Sequence, residues 1–340
     1  MKTIIIPEPG KVEIIERPMP EPKEGEVLLK ILRGGICGSD LGTYKGTFAY
    51  ASYPRIPGHE FSGEIVAING DAPHLKEGMV VTANPYFNCG KCYSCQRGLL
   101  NCCEHNETLG AQRDGAFSEY FAIPISRVYD GQGLAPDELA AIEPFCISYH
   151  GAVTRGGAKA GDKVLVIGAG TIGVLAAVAA QAQGAEVYIS DVAPTKVDYA
   201  VKNFNLKGIV NEGPDFVEKA LALTDNKGFD VTIEAVGLPQ TFQNAIDIAA
   251  FGGRVVLIGV GKKNLDFNFT LLQKKELNVF GSRNALKQDF LNLINLVKSG
   301  KVNLRKVITN TYPLDQAFQA FHDFASNGAN MLKVEIDFTA

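Results

Sequence analysis

Several features that mark nucleic-acid-binding or exported proteins are missing from this 340-residue sequence. Lys and Arg total 33 against 37 Asp and Glu, the net charge is -4, and there is no long basic run. Nucleic acid is therefore not an expected partner. The apolar segment within residues 1–6 ends at Pro7 and is too short for the central region of a signal peptide, so we expect a first strand there and a cytoplasmic protein.

The sequence also lacks an unbroken apolar run that would cross a membrane. Residues 164–185 carry no charge and have the length of a membrane span, but they include several glycines, a threonine and two glutamines. This composition favours a buried strand, a tight turn and a buried helix, and we expect no membrane partner.

The seven cysteines do not form the pattern of a disulfide framework. Five of them lie within residues 89–103, where many pairings would be sterically awkward. Four of these have the spacing Cys89-x2-Cys92-x2-Cys95-x7-Cys103, with Cys102 as a spare neighbour. Four thiolates can close a tetrahedral shell around zinc with no open position, which predicts a structural zinc site in a reducing compartment.

The distribution of apolar residues predicts two domains. Up to about residue 150, short alternating runs joined by Gly and Pro indicate a β-rich domain. From about Gly161, Val/Ile-rich runs alternate with helical stretches, which is typical of a doubly wound parallel sheet with helices on both faces. We expect strands at 163–167, 186–190, 208–210, 229–234, 254–259 and 277–280.

The end of the chain returns to a different pattern. We expect helices at 288–299 and 314–324 and a strand at 332–338 that folds back onto the first domain. The predicted organisation is therefore one domain of residues 1–150 completed by 285–340, and a second of residues 151–284.

A glycine-rich turn follows the first strand of the predicted parallel sheet. In Gly168-Ala169-Gly170-Thr171-Ile172-Gly173 the glycines allow a pyrophosphate to approach the backbone, and the helix that begins near Thr171 offers free N–H groups. Asp191, at the end of the next strand, is placed to bind both ribose hydroxyls and to repel a 2′-phosphate, which favours NAD over NADP. The alternative is that Asp191 only caps a helix.

A third set of residues is dispersed along the chain. Cys37, His59, Glu60 and Glu143 offer a thiolate, an imidazole and two carboxylates, the ligand types of a catalytic zinc with one labile position. Each residue alone is more often a core thiol, a satisfied histidine or a surface acid. The residues by themselves therefore leave this site as a hypothesis.

These motifs together resemble the zinc-dependent medium-chain dehydrogenases, in the branch of sorbitol, threonine and sugar-acid dehydrogenases. The resemblance covers essentially the whole chain and also includes two further runs, Gly35 to Asp40 and Asp114 to Tyr120. It implies a Rossmann NAD-binding domain and a GroES-like catalytic domain, with two zinc ions per chain, one catalytic and one structural.

The resemblance also implies individual roles. It implies that Cys37 and His59 hold the catalytic zinc, with Glu60 and Glu143 as exchangeable acidic partners, that Ser39 accepts the substrate proton, and that Asp40 orients His59. The implied cofactor contacts are Gly168, Gly170, Thr171, Ile172, Gly173, Asp191, Lys196, Val260 and Arg283. Many relatives have a relay histidine five residues after the zinc cysteine, where this sequence has Gly42, so water or Tyr44 would have to complete the relay.

The substrate is the least constrained part of the interpretation. Residues 274–285 resemble bacterial L-galactonate, L-idonate and L-gulonate 5-dehydrogenases, in which case Arg283 or Arg113 would pair with the substrate carboxylate. Arg283 contacting only the cofactor is an equal alternative. Other candidates are a neutral polyol such as sorbitol, L-threonine, or a non-catalytic zinc- and nucleotide-binding regulator, and the family suggests a homodimer or homotetramer.

Overall fold

The computed structural model describes residues 1–261 and 263–340. The chain divides into two compact units, one formed by Met1–Glu143 with Leu286–Ala340 and the other by Pro144–Ala285. The first unit is thus built from both ends of the chain. Across the described residues, no helix combines the length and apolar character that a membrane crossing requires.

The strands are numbered here in chain order. They are β1 (Lys2–Ile5), β2 (Glu13–Glu16), β3 (Glu26–Ile36), β4 (Glu60–Asn69), β5 (Val80–Ala83), β6 (Tyr86–Phe87), β7 (Glu107–Thr108), β8 (Tyr120–Pro124), β9 (Val128–Asp130), β10 (Lys163–Ile167), β11 (Glu186–Asp191), β12 (Lys207–Val210), β13 (Phe229–Glu234), β14 (Ala249–Leu257), β15 (Asn278–Gly281), β16 (Ile308–Pro313) and β17 (Lys333–Asp337).

The α-helices are numbered in the same way. They are α1 (Gly38–Tyr44), α2 (Tyr93–Gln96), α3 (Pro136–Ala140), α4 (Ile142–Tyr149), α5 (Thr171–Ala182), α6 (Pro194–Phe204), α7 (Phe216–Ala222), α8 (Pro239–Ile248), α9 (Thr270–Lys274), α10 (Lys287–Lys298) and α11 (Ala317–Asn327).

The first unit is built on a seven-stranded mixed sheet. Its strands follow the order β16-β17-β3-β4-β5-β9, and β8 also pairs with β3. The C-terminal strand β17 runs antiparallel to β3, with Glu335 opposite Gly35. The C-terminal strand therefore lies beside β3, the strand that leads to Cys37.

The second unit is a six-stranded parallel sheet in the order β12-β11-β10-β13-β14-β15. In such a sheet helices cover both faces, so side chains on both sides of each strand are buried and the strands are continuous apolar runs. The predicted doubly wound α/β fold is confirmed, and β10, α5 and β13 begin where the sequence pattern placed them. The chain order reverses at β10, so β10 and β13 are neighbours whose carboxyl ends form the usual ligand crevice of such sheets.

Strand β14 begins earlier than predicted. It starts at Ala249 rather than near Arg254, and its register with β13 is irregular between Phe229 and Val231. The run Phe251-Gly252-Gly253 has low strand propensity, so the local pattern concealed this extension.

Candidate functional site

Cys37 is the N-cap residue of the short helix α1, and Asp40 fixes its position. The backbone N–H of Cys37 donates to Asp40 Oδ2 at 2.9 Å, and the N–H of Gly58 donates to Asp40 Oδ1 at 3.4 Å. The buried Asp40 carboxylate therefore links Cys37, a candidate zinc ligand, to Gly58, which directly precedes the candidate ligand His59. Burial raises the pKa of Asp40, against the lowering effect of nearby His59.

The loop that carries His59 is held by residues of the 114–120 motif. The N–H of Ala116 donates to the carbonyl of Gly58 at 2.9 Å, and the N–H of Phe117 donates to the carbonyl of Pro57 at 3.1 Å. A Cβ at Gly58 would lie 2.1 Å from the ring of Phe117, so only glycine fits there. The motif thus acts by placing His59, which the sequence alone does not explain.

Cys37, His59 and Glu60 form one cluster of possible metal ligands. One ligand atom from each lies within 4.8 Å of the others. Burial lowers the pKa of His59, but the negative charges of Cys37, Asp40 and Glu143 outweigh it and raise that pKa well above its usual value. Such an excess of negative charge around a buried imidazole fits a site that a divalent cation completes.

His59 Nδ1 lies 3.9 Å from Asp40 Oδ1, which is too long for a hydrogen bond. Within the described chain this nitrogen has no hydrogen-bond partner. Asp40 therefore lies near His59 without a hydrogen bond to it. Its carboxylate instead accepts hydrogen bonds from the backbone N–H groups of Cys37 and Gly58.

Glu60 is paired with a lysine that the sequence analysis did not identify. Lys333 Nζ donates to Glu60 Oε1 at 2.7 Å and to Oε2 at 2.5 Å, and both side chains are buried. A Cβ at Gly35 would lie 2.3 Å from Glu60 Oε2, so the absence of a side chain at Gly35 leaves room for this carboxylate. Lys333 stands in an alternating strand, where a lysine normally indicates the solvent face, so no local signal revealed the pair.

Glu143 has a different partner. The hydroxyl of Tyr86 donates a hydrogen bond to Glu143 Oε1, and both residues are buried. Burial raises the pKa of Glu143 to about 7, although His59 and the Tyr86 hydrogen bond act in the lowering direction. Among the described residues, the mutually close ligand set is Cys37, His59 and Glu60, and Glu143 lies outside it.

The four cysteines of the predicted structural site converge in a separate lobe. Cys89, Cys92, Cys95 and Cys103 bring their sulfurs within 4.8 Å of one another. Backbone N–H groups of Cys95 and Glu104 lower the pKa of Cys92 to about 6, whereas burial raises the pKa of Cys95 to about 12. Four thiols this close cannot all ionise without a cation, so the donor set fits zinc. The spare Cys102 is exposed.

At the position of the missing relay histidine, Gly42 packs closely against a phenylalanine. A Cβ at Gly42 would lie 3.1 Å from Phe48 Cβ, and the N–H groups of Thr47 and Phe48 both donate to the Gly42 carbonyl. Tyr44 is buried with its ring 5.9 Å from that of Phe321, so it lies in the core of the first unit. Ser39 is half-buried on α1, and its carbonyl accepts from Thr43 Oγ1 at 3.1 Å.

In the second unit, the glycine-rich turn joins β10 to α5, with Gly170 as the N-cap. A Cβ at Gly173 would lie 1.7 Å from the Gly168 carbonyl oxygen, so only glycine lets the helix approach the turn this closely. Asp191 ends β11 and accepts from the Ala169 N–H at 2.8 Å and from the Ala193 N–H at 2.9 Å. Its carboxylate therefore lies beside the turn, as a ribose-binding acid requires, and also orders the start of α6.

The remaining predicted cofactor residues lie at the edges of the same unit. Thr171, Ile172 and Lys196 are half-buried on α5 and α6, and the Ile172 carbonyl accepts from Ser148 Oγ at 2.9 Å. Val260 is exposed just after β14, and Arg283 is exposed just after β15. All are thus on loops or helix starts around the sheet rather than in its core.

Arg113, the other arginine considered for the substrate carboxylate, is engaged within the first unit. Its guanidinium carbon lies 3.8 Å from the centroid of the Phe87 ring, and its Nη1 lies 3.4 Å from Glu107 Oε2. Any substrate carboxylate that bound Arg113 would have to compete with Glu107 for the guanidinium.

Two family models match this chain. Residues 23–133 match the alcohol dehydrogenase GroES-like domain, and residues 171–299 match the zinc-binding dehydrogenase domain. The first match contains Cys37, His59, Glu60 and the four-cysteine lobe, and the second contains α5, β11 and Asp191.

Full-length relatives agree with these matches. The chain is 34% identical to an L-galactonate-5-dehydrogenase of Escherichia coli K12 over 99% of each chain, and 32% identical to a sorbitol dehydrogenase of Halalkalibacterium halodurans over 94% of each. Among solved structures, an alcohol dehydrogenase from Escherichia coli CFT073 in complex with NADH superposes with a TM-score of 0.91, at 30% identity and 99% coverage of both chains.

The fold and these similarities define a class of enzyme, an oxidoreductase that acts on CH–OH donors. The chain belongs to the zinc-type medium-chain alcohol dehydrogenase family. The predicted family and the predicted combination of GroES-like and Rossmann folds are both confirmed. Zinc is the metal of this family.

Proposed function

We propose that this chain is an NAD-dependent dehydrogenase of a secondary alcohol in a six-carbon sugar acid, of the L-galactonate, L-gulonate or L-idonate 5-dehydrogenase type. The observation that carries the proposal is the 34% identity to an L-galactonate-5-dehydrogenase across 99% of both chains. The carboxylates Glu60 and Glu143 near Cys37 and His59 support it, because hard oxygen ligands suit an oxygen-rich substrate.

In this proposal, Cys37 and His59 hold the catalytic zinc, and Glu60 and Glu143 are its acidic partners. When bound, zinc supplies a Lewis acid that lowers the pKa of the substrate hydroxyl, and NAD accepts the hydride. Ser39 takes up the hydroxyl proton from its half-buried position on α1. Asp40 orients the site through the backbone of Cys37 and Gly58.

The NAD site lies at the carboxyl ends of β10 and β11. Gly168, Gly170 and Gly173 let the pyrophosphate approach the N-terminus of α5, where Thr171 and Ile172 offer backbone N–H groups. Asp191 and Lys196 bind the adenosine ribose, and Val260 and Arg283 contact the nicotinamide half. Each oxygen of Asp191 accepts one backbone N–H and keeps a free lone pair for a ribose hydroxyl.

The lobe of Cys89, Cys92, Cys95 and Cys103 holds the second, structural zinc. Because all four positions are thiolates, no position remains for substrate. Thiolates of this kind persist in a reducing compartment, which supports a cytoplasmic location.

We also propose a homodimer or homotetramer. Strand β15 ends the parallel sheet with no further partner strand among the described residues, and Phe251 on β14 is 69% exposed. An unpaired sheet edge and an exposed aromatic residue are two surface features that a second copy can cover. Light scattering during gel filtration tests the oligomeric state, and a monomer at micromolar concentration would contradict the proposal.

The decisive experiment is NADH absorbance with purified, zinc-loaded protein and a panel of L-galactonate, L-gulonate, L-idonate, sorbitol and L-threonine. We expect the highest kcat/KM with one of the three sugar acids and with NAD rather than NADP. A preference for sorbitol or L-threonine would replace the sugar-acid assignment. Absence of turnover at full zinc occupancy would instead favour a non-catalytic regulator that binds zinc and nucleotide.

The Cys37→Ala variant tests the zinc assignment separately. Bound zinc should fall from two ions per chain to one, kcat should be abolished, and the NAD dissociation constant should stay unchanged. A variant that keeps the wild-type kcat would refute the role of Cys37.

A further inference from the structure

Tyr86 forms a buried hydrogen bond that the proposed reaction does not account for. Its hydroxyl donates to Glu143 Oε1, and Tyr86 and Glu143 are 6% and 3% exposed. The two residues are 57 positions apart in sequence. A carboxylate with one oxygen held by a fixed donor can rotate only within the range that the bond permits, so this contact restricts where the other oxygen, Oε2, can lie.

Both backbone pairing and side chains fix the segment around Tyr86: the Asn84 N–H donates to the Arg127 carbonyl at 2.8 Å, and the Leu109 N–H donates to the Pro85 carbonyl at 3.1 Å. Tyr86 and Phe87 form the two-residue strand β6, which pairs with β7 in a separate two-stranded sheet. Arg113 and Arg127 place their guanidinium carbons 3.8 and 4.0 Å from the centroid of the Phe87 ring. Arg127 also donates to the Tyr86 carbonyl and, at 3.4 Å, to Asn88 Oδ1.

The same segment continues directly into the four-cysteine lobe. Cys89 follows Phe87 by two residues, and its N–H donates to Cys103 Sγ at 3.3 Å. The backbone on the C-terminal side of Tyr86 is therefore anchored by the lobe, and the backbone at Tyr86 itself is anchored by Arg127. A phenol held at both points is preorganised to donate in one direction.

We propose that Tyr86 is a positioning residue, which fixes the carboxylate of Glu143 beside the catalytic zinc site, and that the two arginines flanking Phe87 hold Tyr86 in place. This inference rests on the proposed zinc site of Cys37, His59, Glu60 and Glu143. The four-cysteine lobe then has a second role, because it anchors the segment whose Tyr86 orients Glu143, an acidic partner of the catalytic metal.

The test compares Tyr86→Phe with the matched variant Tyr93→Phe, both measured as full-length protein. Tyr93 is 68% exposed on α2 of the lobe, and its hydroxyl contacts Arg97 rather than a candidate zinc ligand. The readouts are the affinity of the catalytic site for zinc, from competition with a chelator, and the visible spectrum of the cobalt(II)-substituted protein. Neither readout depends on turnover.

For Tyr86→Phe we expect zinc affinity at the catalytic site to fall about 10- to 100-fold, as is typical when a partner of a metal ligand is removed, and the cobalt spectrum to shift. The structural zinc should be retained. Tyr93→Phe should match the wild type in both readouts. In a Glu143→Gln background, adding Tyr86→Phe should have little further effect, because the residue then has no carboxylate to position.

The outcomes separate this inference from the proposed function. Wild-type protein that binds only one zinc per chain would overturn the proposed site and this inference with it. Two zinc ions in the wild type, with unchanged affinity and spectrum in Tyr86→Phe, would overturn the inference alone. Should Tyr86→Phe not fold, Phe87→Leu provides the second test: weaker catalytic zinc binding supports the positioning role, and wild-type affinity overturns it.

Discussion

The ammonium of Lys333 donates to both carboxylate oxygens of Glu60, at 2.7 and 2.5 Å, from a position 273 residues away in sequence. Lys333 also donates to the Ile36 carbonyl at 3.2 Å, next to Cys37. Burial lowers the pKa of Lys333, but Glu60, Cys37 and Glu143 outweigh this effect and raise it. The Glu60 charge is therefore balanced by Lys333 in the metal-free protein, and a metal that bound Glu60 would share its carboxylate with the lysine.

Replacing Lys333 by methionine should leave Glu60 as a buried charge without its partner. We expect the metal-free protein to lose about 3–5 kcal/mol of unfolding free energy, since one member of a buried pair is removed. The zinc-loaded protein should lose less, because the metal can compensate Glu60. Urea unfolding with and without zinc measures both values, and equal losses would show that Glu60 does not reach the metal.

Asp191→Ala should weaken NAD binding about 10- to 100-fold, because charge-assisted hydrogen bonds to the ribose are lost. Discrimination against NADP should relax, since the 2′-phosphate no longer meets a carboxylate. Asp191→Asn is the matched variant, as its side-chain oxygen can still accept from the backbone of the glycine-rich turn. Fluorescence titrations measure the dissociation constants of NAD and NADP. An unchanged ratio of the two constants in both variants would mean that Asp191 only orders the glycine-rich turn and the start of α6.

Arg283→Gln separates the two roles considered for this arginine. If Arg283 binds a substrate carboxylate, KM for a sugar acid should rise about tenfold or more while KM for a neutral polyol stays constant. If it contacts only the cofactor, the NAD dissociation constant should change instead, and both substrates should be affected alike. Steady-state kinetics with L-galactonate and sorbitol distinguish these results.

Glu335 should give the protein a distinctive pH dependence. It is fully buried on β17, and within the described chain neither carboxylate oxygen has a hydrogen-bond partner. Burial, reinforced by Asp137, raises its pKa well above the usual value, and Arg33 and Lys333 oppose this only in part. The carboxyl of Glu335 therefore keeps its proton in the folded state at a pH where the unfolded chain has released it. As pH rises from the unfolded-state pKa to the raised folded-state pKa of Glu335, the free energy of unfolding should fall.

Glu335→Gln should remove that contribution. Above the ordinary pKa of a glutamate carboxyl, the free energy of unfolding of the variant should depend less steeply on pH than that of the wild type. Parallel curves for the two proteins across this range would show that the carboxyl titrates normally.

Much of this molecule could be predicted because its signals are local. The spacing from Cys89 to Cys103, the turn from Gly168 to Gly173 and the apolar runs of the parallel sheet each fit within a short stretch of sequence. Zinc thiolates, a dinucleotide turn and doubly buried strands impose such spacing directly, because their geometry is set by a few consecutive residues. The sequence by itself thus determined the fold class, the metal-binding lobe and the position of the candidate cofactor site.

Only the tertiary structure decided what surrounds the candidate catalytic ligands. The alternation Lys333, Glu335 and Asp337 is typical of a solvent-facing side of a strand, yet Lys333 and Glu335 are buried on β17. Tyr86 and Phe48 likewise reach Glu143 and Gly42 through loop geometry that carries no periodic signal. Partners that meet through long-range strand pairing and loop packing cannot be inferred from local spacing, because their proximity depends on the register of the whole sheet.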